Sequence, residues 1–263
     1  MSDAWLRAIV ALPFGLAIGS FMTVIASRVP AGESVLRPRS RCPSCGADIR
    51  NRDNVPVISW LMLRGRCRSC GARISARYPA LELATTVLVV AGAAAFERIW
   101  VAIMVAAFLA LMPVIAWIDI ERRIIPNRIT YPAFVGFAGF GVLARLADGG
   151  TDPLRALIGA LLYGGVLFVV AVISRGMGMG DVKLALVIGV VLGSIGLAAV
   201  GVAAAAAVLF GGVGGVVALI AGRDRKSMIP FGPYMAAGAI VAAFWWQPIA
   251  DRYLSTFTAS VTF

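Results

Sequence analysis

The sequence predicts an all-α polytopic membrane protein of about eight transmembrane helices, with one small loop domain on a single face. Three observations predict it: an apolar composition, a succession of apolar stretches of spanning length, and basic residues gathered in alternate connections. Of 263 residues, 60% are hydrophobic and 14% charged, with a mean hydropathy of +0.89. A soluble domain carries roughly 25% charged residues. So much apolar sequence makes the bilayer the solvent, and the 29 glycines suit the close helix approach that packing in lipid uses.

A helix needs about 20 predominantly apolar residues to cross a bilayer. Stretches of that kind run at about 5–27, 80–96, 99–118, 129–147, 154–174, 184–199, 201–220 and 232–249. The sixth and seventh are divided only weakly, around Gly193–Gly201. The first does not read as a cleaved signal, because Gly19, Ser20 and Phe21 lead into further apolar residues rather than a cleavage site. With the N-terminus outside, 19 of the 24 Lys and Arg fall in segments 28–79, 119–128, 175–183 and 221–231. Arg7, Arg98, Arg145, Arg155 and Arg252 lie at the opposite face. The positive-inside rule makes the four basic segments cytoplasmic. The net charge of +11 is then a topology signal, with anionic lipid head groups as neighbours. No basic helix or aromatic-interleaved groove points to nucleic acid. The expected division is a first transmembrane helix (1–27), a cytoplasmic loop domain (28–79) and a transmembrane helical core (80–263).

All four cysteines lie in that loop. Cys42-Pro-Ser-Cys45 and Cys67-Arg-Ser-Cys70 are two C-x-x-C knuckles, each followed by glycine (Gly46, Gly71), which permits the tight turn a knuckle needs. Four thiolates at this spacing suit tetrahedral zinc. Paired disulfides are disfavoured on a cytoplasmic face, and an iron–sulfur cluster is the weaker metal alternative. A four-sulfur zinc site has no open position, so its expected role is structural: it folds a loop with few apolar residues of its own.

The chain contains no histidine, which removes Ser-His-Asp and Cys-His catalysis. Carboxylates remain, and two are oddly placed. Asp119 ends the third span, facing the negative end of the helix dipole. Asp181 follows Gly176-Met-Gly178-Met-Gly180 at the start of the sixth. Ionisable groups at such depth are functional candidates. The structural alternatives are an ion pair of Asp119 with Arg122 or Arg123, and an N-cap role for Asp181. The glycine run is no phosphate loop, since no strand precedes it. Two carboxyls sharing a site divide one proton between them, one activating water and the other polarising a peptide carbonyl.

These residues together resemble the type IV prepilin peptidases, bifunctional leader peptidase/N-methyltransferases that process prepilins and type II secretion pseudopilins. The resemblance covers nearly the whole chain. It begins with Gly19-Ser-Phe-Met-Thr-Val24 and the two knuckles, and continues in Asn54-Val-Pro-Val-Ile-Ser-Trp-Leu-Met-Leu-Arg-Gly65 and Ile74-Ser-Ala-Arg-Tyr78-Pro79-Ala-Leu-Glu82. It then takes in Ile118-Asp119 with Ile125-Pro126-Asn127, Gly178-Met-Gly180-Asp181-Val-Lys183, and Ile229-Pro-Phe-Gly-Pro233. The resemblance implies that Asp119 and Asp181 are the catalytic pair and that Gly178 and Gly180 belong to a Gly-x-Gly-Asp motif supported by Lys183. It implies cleavage after a glycine at the end of a short basic leader, on the cytoplasmic side of a bacterial inner membrane. Methylation of the new N-terminal amine by S-adenosylmethionine is implied to follow. Many members carry asparagine where this chain has Thr23. Glu82, at the mouth of the second span, is a candidate contact for the substrate amine or the cofactor, with pairing to Arg77 as its structural alternative. The reading from another class is a transporter or channel with a zinc-stapled cap. Against it, spans two, four, five, seven and eight have no carboxylate near their centres.

Overall fold

The computed structural model describes residues 3–37, 39–174, 176–222 and 230–260, with side chains through residue 256. Eight long helices stand where the eight apolar stretches are expected. They are α1 (Asp3–Arg28), then, after a short α2 (Ile58–Met62) in the loop domain, α3 (Arg77–Ala95), α4 (Ile99–Arg122), α5 (Asn127–Asp148), α6 (Pro153–Ser174), α7 (Met179–Ile195), α8 (Leu197–Ile220) and α9 (Gly232–Ser260). Six of them are long and apolar enough to cross a membrane by length and composition. Of the other two, α7 has 17 residues, about 26 Å at 1.5 Å per residue, the lower bound for a span. The apolar run of α9 is diluted by Pro233, Tyr234, Gln247 and Pro248. Residues 223–229, which hold Ile229 and three of the basic residues expected in that segment, lie outside the described residues.

Local chemistry sets the helix ends. Arg123 closes α4 in the left-handed region at φ 55°, its amide donating to the Asp119 carbonyl. Pro126 then starts α5. The carboxylate of Asp152 accepts from the amides of Leu154 (3.0 Å) and Arg155 (3.1 Å), an N-cap ahead of Pro153 at the first helical position. The weak boundary in the sequence resolves to one residue, Gly196, between α7 and α8.

The core runs along α4, where Phe108, Leu109, Met112, Val114 and Ile118 are fully enclosed. The flanking helices turn leucine and valine outward instead, as at Leu161, Val169, Val208 and Leu209. In water such faces would drive aggregation; here they are lipid-facing surface. Pairing is close along three seams, α1 with α3, α6 with α7 and α8 with α9. The α6–α7 seam is made of glycine. A methyl group at Gly159 would stand 2.6 Å from the Gly189 carbonyl oxygen, and one at Gly189 would stand 2.6 Å from the Ala160 Cα. Backbones that touch in this way gain the dispersion that substitutes for hydrophobic drive inside lipid.

The loop domain, by contrast, has only a helical turn at Asn51–Asp53, α2 and two isolated β-bridges among its described residues. Trp60 covers Gly65 and donates its indole N–H to the Ile74 carbonyl at 3.1 Å. Arg68 grips Asp53 with two nitrogens, at 2.7 and 2.9 Å. That guanidinium holds the Asp53 carboxyl below its usual range, tying the second knuckle to the turn.

Replacing Gly189 with valine is expected to force α6 and α7 apart and cost about 1–3 kcal/mol, the usual penalty for overpacking. Thermal unfolding of the detergent-solubilised protein checks this, and an unshifted midpoint would mean the seam tolerates separation.

Candidate active site and metal centre

The two knuckles fold alike. Cys42 donates its amide to the Ala47 carbonyl and Cys67 to that of Ala72, at 2.9 and 2.8 Å. Gly46 and Gly71 then turn back at φ 70° and 72°, a region that favours residues without a Cβ. The bridges Arg41–Asp48 and Arg66–Arg73 close the two turns. All four thiol sulfurs lie within 4.8 Å of one another, with Cys42 and Cys70 3.9 Å apart. Ligand bonds of 2.3 Å in a tetrahedron require sulfurs about 3.8 Å apart, so the arrangement fits a tetrahedral metal ion. The amides of Cys45 and then Ser44 point at the Cys42 sulfur and lower its thiol, while hydrogen bonding with the other three sulfurs raises that of Cys70, so the four thiols share their protons as one cluster.

Asp119 stands near the end of α4 and is 5% exposed, the one carboxylate or cation enclosed to that degree among the described residues. Neither Arg122 nor Arg123 forms an ion pair with it among the described residues. Its partner is the backbone of α9: the Gly232 amide donates to Oδ2 at 2.9 Å. Gly232 is the first residue of α9, whose free amides carry the positive end of a helix dipole. A methyl group there would stand 2.7 Å from the same oxygen, so the approach requires glycine. The sequence alone assigns Gly232 no role. Only its place in the Ile229–Pro233 motif could have drawn notice.

Asp181 reaches the same region from the first turn of α7. The N-cap of that helix is Gly178, not Asp181. Asp181 sits three residues further on, the position from which an acidic side chain faces the N-cap, and its own backbone amide donates to the Gly178 carbonyl at 3.1 Å. The half-buried Asp181 lies close enough to Asp119 for the two carboxyl groups to interact electrostatically. Gly180 permits this closeness, since a methyl group on it would stand 3.0 Å from the Ile125 Cβ in the α4–α5 turn. Residues from α4, the α4–α5 turn, α7 and α9 thus converge at the basic face.

Lys183 lies one turn along from Gly180 but turns away from the carboxylates. Its Nζ donates to Asn127 Oδ1 at 2.8 Å and sits 5.1 Å from the Tyr131 ring centroid. It ties the first turn of α7 to that of α5. Glu82 is neither beside the two aspartates nor paired with Arg77, which instead meets Glu121 at 2.7 Å. Glu82 Oε2 accepts from the Val57 amide at 2.8 Å, joining α3 to the loop domain just ahead of α2.

Family models match both halves of the chain: the bacterial peptidase A24 N-terminal domain over residues 13–96 and the type IV leader peptidase family over residues 103–260. A prepilin leader peptidase/N-methyltransferase of Bacillus subtilis is 37% identical, with 92% of this chain and 95% of that protein aligned. One of the same description from Aeromonas hydrophila is 31% identical over 96% of each, and one from Xanthomonas campestris is 32% identical over 91% and 92%. A search of the solved structures finds no match. Likeness of this extent, running from end to end of the relatives, means that the chain belongs to the type IV leader peptidase family and is an enzyme, an aspartic peptidase of the membrane.

Proposed function

We propose that this chain is a prepilin leader peptidase of a bacterial inner membrane that clips the short leader of type IV prepilins or type II secretion pseudopilins on the cytoplasmic side and then N-methylates the new end. The observation that carries this reading is the approach of Asp119 and Asp181 at one face, with Asp119 held there by the Gly232 amide. The basic segments on that face support a cytoplasmic orientation, and the descriptions of the relatives support the substrate class and the second activity.

In this scheme the two carboxyls share one proton across a water molecule. The ionised one takes a proton from the water as the water oxygen attacks the peptide carbonyl carbon. The other gives its proton to the carbonyl oxygen, and as the tetrahedral carbon collapses a proton passes to the departing amine. The Gly232 amide fixes one Asp119 oxygen and leaves the second for chemistry. Gly178, exposed beside Asp181, offers a flank with no side chain along which an extended substrate backbone can lie.

Cys42, Cys45, Cys67 and Cys70 would hold zinc. With four sulfurs the ion is saturated, and its contribution is folding free energy for the loop domain rather than catalysis. S-adenosylmethionine, when bound, supplies a methyl carbon to which a neutral amine forms a new bond while the sulfonium reverts to a thioether.

Asp119→Asn and Asp181→Asn are each expected to insert normally and to lose at least about a hundredfold in cleavage, the lower end of what positioned acid–base groups supply. The measurement is mass spectrometry of a leader-bearing peptide incubated with membranes, and normal cleavage by either variant would remove the dyad. Gly232→Ala is expected to displace the Asp119 carboxylate and depress turnover more than KM. Equal turnover with an intact fold would show the amide to be dispensable. Replacing all four cysteines by serine is expected to abolish bound zinc in elemental analysis and to lower the unfolding midpoint. A metal-free variant of full stability and activity would dismiss the metal.

A further inference from the structure

Apart from the two aspartates, one cavity of about 150 Å³ opens between α1, α3 and the last turns of α4. Thr23 and Ser27 of α1, Arg77 and Tyr78 of α3, and Trp117 and Glu121 of α4 line it. Arg77 and Glu121 meet across it at 2.7 Å, with side chains 68% and 34% exposed. The rings of Tyr78 and Trp117 lie 6.3 Å apart at 48°. An exposed ion pair of this kind contributes roughly 0–1 kcal/mol to stability. Its charges are therefore cheap to redirect toward a ligand.

The wall chemistry is specific. A guanidinium fork takes a carboxylate, a carboxylate takes an ammonium, and aromatic faces take a second positive charge. The complement is a small zwitterion carrying an extra cation. Liquid water occupies about 30 Å³ per molecule, so the space equals some five waters, enough for an amino-acid moiety but not for a whole nucleoside. We infer that this cavity binds the amino-acid end of S-adenosylmethionine, with its carboxylate at Arg77, its ammonium at Glu121 and its sulfonium against Tyr78 and Trp117. The inference rests on the methyl-transfer half of the proposed function and gives it a place. Thr23 of α1 completes the wall with a hydroxyl group. Trp117 and Glu121 are each two residues from Asp119, about 200° around the helix. The cavity thus lies across α4 from the aspartates.

The test uses the full chain in nanodiscs of phosphatidylglycerol, with radiolabelled S-adenosylmethionine as probe and leader cleavage and methylation followed in parallel. Saturable binding is expected in the wild type, weakened at least tenfold by Arg77→Gln, Glu121→Gln or Trp117→Leu, and retained by Trp117→Phe, which keeps a ring. Continued cleavage by these variants reports that they are folded. Unchanged binding in all of them, while the wild type binds and methylates, overturns the site. Loss of binding on adding phosphatidylethanolamine, whose head group is also zwitterionic, reassigns the cavity to lipid and overturns it too. A wild type that cleaves but neither binds the probe nor methylates instead removes the methyl-transfer reading itself.

Discussion

Asp119 is an enclosed carboxylate at the end of α4 where the dipole is negative, a placement unfavourable by a few tenths to 1 kcal/mol before desolvation is counted. What offsets it comes from 113 residues further along the chain: the Gly232 amide at the opposite, positive pole of α9. A hydrogen bond to a charged group is worth about 1.5–3 kcal/mol, and the two poles also attract each other. The contact needs α9 to begin at that depth and to begin with glycine. It also needs Pro126 and Ile125 to turn α5 away beneath Gly180, so that α7 can bring Asp181 alongside. The arrangement of the bundle at this face follows from satisfying one charge.

Much of this was legible in the residues themselves. Long apolar runs and the placement of arginines announce spans without any knowledge of packing, because the bilayer imposes a length. The knuckles were legible for a similar reason: metal ligands must be close, and Cys-x-x-Cys followed by glycine makes them close locally. Asp119 and Asp181 stood out by being costly where they are.

Other features depend on pairings that no local pattern encodes. Gly232 looks like any glycine before a proline until α9 is set against α4. Lys183 sits in a catalytic-looking motif, yet its nitrogen serves Asn127 and the Tyr131 face. Arg77 is a turn from Glu82 in sequence but reaches Glu121, which lies 44 residues on. Long side chains choose among neighbours by three-dimensional reach, and periodicity is silent on that choice. The same applies to α7, whose 17 residues nest against α6 through glycines that meet backbone to backbone.

The junction between loop domain and bundle carries one more implication. Val57, a β-branched residue, is held at φ 61°, a conformation that costs of order 1–3 kcal/mol, and the Glu82 carboxylate secures its amide. Glu82 is also one helical turn above Arg77 and Tyr78 along α3. The loop domain is therefore fastened to the first turns of α3 at a single strained backbone position, so whatever shifts Val57 is felt first by the carboxylate that holds it.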